Sequence, residues 1–215
     1  GVTVENAHPH LDCSGQIALV HNGIVENFGE LRSELQKKNH TFKSETDTEV
    51  LVQLIEEIQK NEKCDLAEAV REALNEVSGA YAIAVVSKKE PDVLIGARKG
   101  SPMILGIGEE EFFLASDASP VVEYTKKVVY LQDEEMVVLH RNGKFELKTI
   151  QNEKKTPYIQ ELELKLEAIE KGGFDHFMLK EIHEQPKSIY DSIRGRIDIK
   201  NAKIKLGGLE EYEKR

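Results

Sequence analysis

The sequence is poor in several features that would assign it to a particular class of protein. Of its 215 residues only two are cysteines, Cys13 and Cys64, and their separation matches no metal-ligand motif. With no secretory context, these residues predict reduced thiols and a cytoplasmic location. No apolar run approaches the ~18 residues of a membrane span. The first residues, which begin with Gly1, lack the charged and apolar regions of a secretory signal.

Basic residues are also in deficit. The chain carries 29 Lys and Arg against 39 Asp and Glu, for a net charge of −10. An acidic surface of this kind predicts no nucleic-acid binding, which needs a basic footprint. Hydrophobic residues make up 40% and charged residues 32% of the chain, which indicates a globular rather than a disordered protein. The length allows one large domain, or one domain and part of another.

Helical patterns come first along the chain. Asn27 and Glu30 have the spacing of a capping box and predict a helix start. The polar segment 44–49 precedes an apolar stripe with helical spacing, and Asp65 precedes another. Acidic residues in these first turns are favoured by the helix dipole.

Short apolar runs separated by turn signals follow the helices and predict strands. They are Tyr81–Val86, Val93–Ala97, Met103–Ile107, Phe112–Ala115, Val128–Leu131, Met136–Leu139 and Phe145–Ile150. Strands grouped after helices indicate an α+β fold with an antiparallel sheet. The composition then shifts to Glu and Lys up to Gly173, which is typical of a linker, and residues 176–196 are amphipathic again.

The stretch from Ile17 to Asn27 permits two interpretations. Asn22-Gly23 between apolar runs is a strong turn signal. The same pair also offers an amide side chain and an unobstructed backbone N–H, which are the two donors that an oxyanion hole needs. Residues 17–21 predict a buried strand, and Asn22-Gly23 is expected to be the turn that follows it. Local residues alone do not decide whether that turn also binds an oxyanion.

Several segments, taken in order, resemble the class II (N-terminal nucleophile, Ntn) glutamine amidotransferases, and within them the glutamine–fructose-6-phosphate aminotransferase or glucosamine-6-phosphate synthase family. The first segments are residues 6–10 (NAHPH), 21–27 (HNGIVEN) and 44–50 (SETDTEV). They are followed by residues 78–82 (SGAYA), 97–102 (ARKGSP) and 114–117 (LASD). Residues 176–186 (HFMLKEIHEQP), with Arg194-Gly195-Arg196 after them, discriminate best.

The resemblance implies a four-layer αββα sandwich, followed by the start of a sugar isomerase (SIS) half. The implied division is a glutaminase domain over 1–150, a linker over 151–175 and isomerase elements over 176–215. The implied reaction hydrolyses glutamine and passes ammonia to fructose 6-phosphate, which gives glucosamine 6-phosphate and glutamate. No metal or organic cofactor is implied for the glutaminase step, and the complete enzyme is expected to be a homodimer.

The resemblance also implies site residues. Asn22 would supply its side-chain amide, and Gly23 its backbone N–H, to the oxyanion. Asp47 would pair with the α-ammonium of glutamine, and His8 would lie near the substrate. His8, His10 and His21 together make a weak metal-ligand pattern, so a loop-packing role is favoured for them.

The family's nucleophile has no counterpart in this sequence. In the family an N-terminal Cys attacks the amide and its own amine acts as the base. Residue 1 here is Gly, and when residues 6–10 are matched to the family's corresponding segment, that Cys is expected upstream of Gly1. Neither Cys13 nor Cys64 is expected to substitute, so the chain alone is expected not to hydrolyse glutamine. The alternatives are the glutaminase part of an amidophosphoribosyltransferase and a catalytically inactive binding module with the glutaminase fold.

Overall fold

The computed structural model describes residues 3–162, 173–193, 197–198 and 203–204. The chain divides into two compact units, residues 1–163 and 164–215. Part of the predicted linker (163–172) and Arg194-Gly195-Arg196 lie outside the described residues. Among the helices in the described ranges, none is long and apolar enough to cross a membrane.

The first unit is built around a six-stranded antiparallel sheet with the strand order β1-β2-β3-β4-β8-β9. Its strands are β1 (His10–Leu11), β2 (Ile17–Val25), β3 (Gly79–Ser87), β4 (Glu90–Lys99), β8 (Glu135–His140) and β9 (Phe145–Thr149). The long pairs β2–β3 and β3–β4 form its centre.

A second sheet of four antiparallel strands has the order β10-β7-β5-β6. These strands are β5 (Ile104–Ile107), β6 (Phe112–Ala115), β7 (Lys127–Tyr130) and β10 (Gln160–Glu161). Buried apolar side chains of the two sheets form one shared cluster, which includes Leu105, Val129, Val137 and Leu139. The sheets therefore pack face to face.

Three helices, α1 (Phe28–Lys37), α2 (Asp47–Glu62) and α3 (Leu66–Glu76), cover the other face of the six-stranded sheet. Alternation along β2 explains this packing, since Ile17, Leu19 and Val25 all point towards the helices. Helix α2 is the most deeply buried of the three and makes the centre of this core.

The second unit is described only in part. It contains a helix, α4 (Phe177–Ile193), with Pro186 inside it. The short strands β11 (Ile197–Asp198) and β12 (Lys203–Ile204) form an antiparallel pair. These few elements do not test the sugar isomerase assignment or the predicted division at residues 150 and 175. Both stay predictions.

The predicted mixed fold with antiparallel sheets is confirmed. The predicted helix starts and central strands are all present, and the two-residue strands β1, β10, β11 and β12 were not foreseen. In the described part of the first unit the layers are helices, sheet and sheet. A turn segment over 119–124 packs Val121 against Gly106 on the outer face of the second sheet, where a fourth, helical layer was expected.

Two local predictions are wrong. Asn22-Gly23 is not a turn, because β2 runs on to Val25 and stays in register with β3 throughout. Pairing with a distant strand overrides the local turn preference. Asn27 does occupy the N-cap of α1, but its side chain makes no capping bond. Its amide instead donates to Glu76 O (2.8 Å) and accepts from Ser78 N (2.9 Å), which ties the start of α1 to the segment before β3.

Candidate active site

The candidate site forms where the end of β2 meets the start of α2. The backbone N–H of Val25 donates to Asp47 Oδ2 over 2.8 Å. Asp47 is held there because Thr46 caps the helix, accepting from the Glu49 N–H over 3.2 Å. A helix cap and one strand-to-helix hydrogen bond thus fix the carboxylate two residues along β2 from Gly23.

Gly23 is a position where the backbone leaves no room for a side chain. Its φ is +144°, and a Cβ atom there would lie 2.1 Å from Ala80 O. Gly79 on the paired strand is similar, with φ +120° and a Cβ position 2.2 Å from Ile24 O. Conformations of this kind are nearly restricted to glycine. The backbone at Gly23 is therefore bare and, as the residue is exposed, open to approach.

Asn22 lies on the sheet face opposite the helices. It pairs with Ala82 of β3 and is exposed, whereas His21 beside it is buried under α2. In the part of the chain that the structure describes, its amide makes no internal hydrogen bond. A side-chain amide in this position is available to a bound molecule.

Asp47 keeps acceptor capacity beyond its bond to Val25. Its side chain is 22% exposed, and Oδ2 lies 3.9 Å from His21 Nδ1. The second oxygen, Oδ1, has no partner in the described residues. A half-buried carboxylate with one open oxygen suits a cationic group.

Two histidines meet at the hydroxyl of Thr48. His21 Nδ1 lies 3.2 Å and His8 Nε2 3.3 Å from Thr48 Oγ1. Burial lowers the pKa of His21, and the nearby Asp47 carboxylate offsets this only in part. His21 is therefore neutral at pH 7. Its Nε2 atom is buried and has no partner among the described residues, as is also true of the Tyr81 hydroxyl.

The loop that leads into α2 is fastened by Glu49. This carboxylate accepts from Lys43 N (2.9 Å), Ser44 N (2.6 Å) and Ser44 Oγ (2.6 Å). Burial by itself would raise the pKa of Glu49, but these hydrogen bonds outweigh it and hold the pKa below its ordinary value. Glu49 thereby positions the loop that carries Thr46 and Asp47.

We expect Glu49→Gln to lower stability at neutral pH and to flatten its dependence on acid. A carboxylate with a depressed folded pKa stabilises fully above its ordinary value of 4.5, and this contribution is lost as the pH falls towards the folded pKa. Urea unfolding at a series of pH values from about 7 to 3 measures it. The difference in the free energy of unfolding between the wild type and the variant should shrink as the pH falls.

The exposed neighbour Glu45 supplies the control for this experiment. The free energy of unfolding of Glu45→Gln should differ little from that of the wild type at every pH. A Glu49→Gln gap that stays constant from neutral to acid pH would contradict the assigned hydrogen bonding.

The structure brings some of the predicted site residues together. Asp47 accepts from the Val25 N–H, two residues along β2 from Gly23, and His8 reaches the same helix start through Thr48. Asn22 lies on the other face of the sheet. The roles assigned to these four residues stay predictions.

Other members of this region were not foreseen as part of it. The sequence placed Thr48 and Glu49 only in a helix start, and Tyr81 only in a strand. A Thr-x-x-Glu capping pattern at Thr46 was the one local signal available for the placement of Glu49.

The two cysteines lie elsewhere. Cys64 precedes α3, where a helix start can lower a thiol pKa, but burial dominates and raises it. Cys13 is exposed and contacts His40 and Gln53. Neither arrangement supplies a nucleophile to Asn22 and Gly23.

Comparisons with known sequences point to one group of proteins. The family described as the glutamine amidotransferase domain matches residues 2–123. The isomerizing glutamine–fructose-6-phosphate aminotransferase of Bacteroides thetaiotaomicron is 52% identical over 210 residues, or 98% of this chain and 34% of that protein. The Chlorobaculum tepidum protein of the same name is 53% identical over 208 residues, which make up 96% of this chain and 34% of that protein. The chain thus spans about a third of the length of these curated relatives.

Solved structures agree on the fold. The glutamine phosphoribosylpyrophosphate amidotransferase of B. subtilis, solved with ADP and GMP, matches with a TM-score of 0.58 at 24% identity. The match covers 69% of this chain and 32% of that one. At this identity the likeness shows the fold alone.

Proposed function

Because the chain belongs to the glutamine amidotransferase domain family, we propose that it is the glutamine-hydrolysing part of an isomerizing glutamine–fructose-6-phosphate aminotransferase. The observation that carries this proposal is the Val25 N–H bond to Asp47, which fixes a carboxylate two residues along β2 from Gly23. One end of a glutamine molecule is an amide and the other carries an ammonium group. The site offers donors for the first and an acceptor for the second.

The donors are the side-chain amide of Asn22 and the backbone N–H of Gly23. Attack on the glutamine amide moves negative charge onto its oxygen, and fixed donors aimed at that oxygen stabilise the tetrahedral intermediate. Asn22 is exposed and makes no internal bond in the described residues, so its amide is free to turn towards the oxygen. The missing side chain at Gly23 lets the amide approach the backbone closely.

Asp47 is the proposed acceptor for the α-ammonium of glutamine. The Val25 N–H and the cap on Thr46 fix one carboxylate oxygen, which leaves the other for the cation. His8 is exposed and bonded to Thr48, beside Asp47, and we assign it to the rim of the substrate site. His21 stays neutral and buried, so it places no competing positive charge against Asp47.

The proposal extends to the complete protein. Ammonia released at this site would pass to an isomerase half that converts fructose 6-phosphate to glucosamine 6-phosphate, with the chain divided at residues 150 and 175. The complete protein is proposed to be a cytoplasmic homodimer, and the two free thiols of the first unit fit that location.

We expect the 215-residue chain alone not to hydrolyse glutamine. The site holds donors and an ammonium acceptor, but neither cysteine is placed to attack the amide. The complete protein should release glutamate from glutamine and form glucosamine 6-phosphate from fructose 6-phosphate, measured by a coupled glutamate assay and by mass spectrometry. A complete protein that binds glutamine without turnover would point to an inactive binding module and overturn the proposal.

In the complete protein, Asp47→Asn should raise the KM for glutamine about 10- to 100-fold with a smaller change in kcat, since a charge-assisted bond to the ammonium is worth roughly 1.5–3 kcal/mol. Asparagine keeps the size of the side chain and an oxygen for the Val25 N–H. Initial rates over a range of glutamine concentrations separate the two constants.

Asp65, which caps α3 in the same way that Thr46 caps α2, provides the matched control. Asn replaces Asp well as a helix cap. Asp65→Asn should therefore leave both constants unchanged. An unchanged KM in Asp47→Asn would remove Asp47 from the substrate site.

A further inference from the structure

A second cluster of chemically active side chains lies along α2, away from the Asn22 strand. Cys13 in the loop before β2, His40 in the loop after α1 and Glu56 in the third turn of α2 converge there. Their potential ligand atoms all lie within 4.8 Å of one another. No spacing pattern in the sequence predicts this set, because the three residues come from separate elements.

The distances fit a tetrahedral metal. Cys13 Sγ lies 3.6 Å from His40 Nδ1, and His40 Nδ1 lies 3.9 Å from Glu56 Oε2. Donors bound to zinc at about 2.0–2.3 Å in tetrahedral geometry lie roughly 3.5 Å apart. Small side-chain movements would therefore bring all three atoms onto one ion.

The surrounding hydrogen bonds orient each of these groups. His40 Nε2–H donates to Glu57 Oε2 over 3.0 Å, which turns Nδ1 towards Cys13. Carboxylates commonly hold metal-binding histidines in this way. The Cys13 N–H donates to Glu56 Oε2 over 3.0 Å and brings that carboxylate to the thiol.

Gln53 closes the cluster on its inner side. Its amide nitrogen donates to Thr41 O over 2.8 Å, so the amide oxygen faces the cluster. That oxygen lies 3.3 Å from Cys13 Sγ and 3.1 Å from His40 Nδ1. The thiol and the imidazole thus both lie beside the Gln53 oxygen, an acceptor that a bound cation would also contact.

We propose that Cys13, His40 and Glu56 bind a zinc ion, with Glu57 as the residue that positions His40. One sulfur, one nitrogen and one oxygen donor make a set of borderline softness, which zinc accepts, and a three-residue site leaves the fourth position to water. On binding, the Cys13 thiol loses its proton to solvent and the thiolate bonds the metal, while His40 binds it through Nδ1 in the tautomer that keeps the proton on Nε2 for Glu57. The exposed side of Cys13 gives the ion a route in.

This site is separate from the proposed glutaminase chemistry. Glu56 lies nine residues along α2 from Asp47, or about 13 Å at 1.5 Å per residue. The zinc ion would clamp the loops before β2 and after α1 onto α2. The inference does not depend on whether glutamine is the substrate.

Titration of the purified chain with Zn²⁺ against a chromophoric chelator tests the proposal. We expect one equivalent of tight binding, and Co²⁺ in place of Zn²⁺ should give the near-ultraviolet band of a thiolate–cobalt bond. Cys13→Ser and His40→Gln should each weaken binding by about 100-fold or more, and Glu57→Gln by roughly 10- to 100-fold. Cys64→Ser and His8→Gln should bind like the wild type.

Alkylation read by mass spectrometry tests the same site without any substitution. Zn²⁺ should protect Cys13 from iodoacetamide and leave the labelling of Cys64 unchanged. Equal labelling of Cys13 with and without Zn²⁺, or a cobalt complex without the thiolate band, would show that the cluster is only a hydrogen-bonded thiol and overturn the proposal.

Discussion

Asn22→Ala in the complete protein is expected to lower the kcat for glutamine hydrolysis about 100- to 1,000-fold, the usual effect of removing one oxyanion donor. The effect should fall on kcat rather than on KM, because the amide bonds the oxygen most strongly once charge has developed there. Steady-state glutamate release gives both constants.

Stability separates this role from a structural one. Asn22 is exposed and makes no hydrogen bond to the described residues. Urea unfolding of Asn22→Ala should therefore show a change of only roughly 0.5 kcal/mol in the free energy of unfolding, as is typical of surface substitutions. Asn142, in the exposed turn between β8 and β9, is the matched control, and Asn142→Ala should retain full activity. A fall in kcat below tenfold for Asn22→Ala would remove the residue from the oxyanion site.

Local chemistry predicts much of this fold. The helix starts at Asp47 and Leu66 follow caps at Thr46 and Asp65, whose side chains accept from residues three positions on, as the sequence pattern indicates. The strands after residue 78 follow from short apolar runs between turn residues. These signals work because cap, turn and periodicity are properties of neighbouring residues.

Predictions from neighbouring residues fail where contacts with residues distant in the sequence determine the local structure. Asn22-Gly23 has a strong turn signal, yet β3, more than fifty residues later, holds it inside a strand. Asn27 fills the N-cap position with its amide committed to Glu76 and Ser78. In both places the competing partner is far away in sequence, so no window around the residue contains the information.

The same reasoning applies to the candidate site. Asn22, Gly23 and Asp47 could be named from the order of short motifs that resemble a family. The meeting of His8 and His21 at Thr48, and of Cys13 and His40 beside Gln53, could not. Each joins residues from separate elements, and the side chains involved have ordinary packing roles in most proteins.

Gly23 explains why the turn signal and the strand coexist, and substitution tests the explanation. Gly23→Ala should destabilise the chain by roughly 3–5 kcal/mol or prevent folding, as it combines a backbone conformation that glycine alone tolerates with a Cβ atom driven into Ala80 O. Gly79→Ala should behave alike, because its Cβ atom would meet Ile24 O from the paired strand. Urea unfolding followed by circular dichroism measures both.

Gly15 separates backbone strain from the close approach of the strands. It also has a positive φ, +66°, but a Cβ atom there meets nothing within 4 Å. Gly15→Ala should therefore destabilise the chain by only about 1–2 kcal/mol, the cost of placing a residue with a side chain in the left-handed conformation. If Gly23→Ala were no more destabilising than Gly15→Ala, β2 and β3 would not be in van der Waals contact at Gly23. The bare backbone proposed to receive the glutamine amide would then tolerate a side chain, and glycine at position 23 would need another explanation.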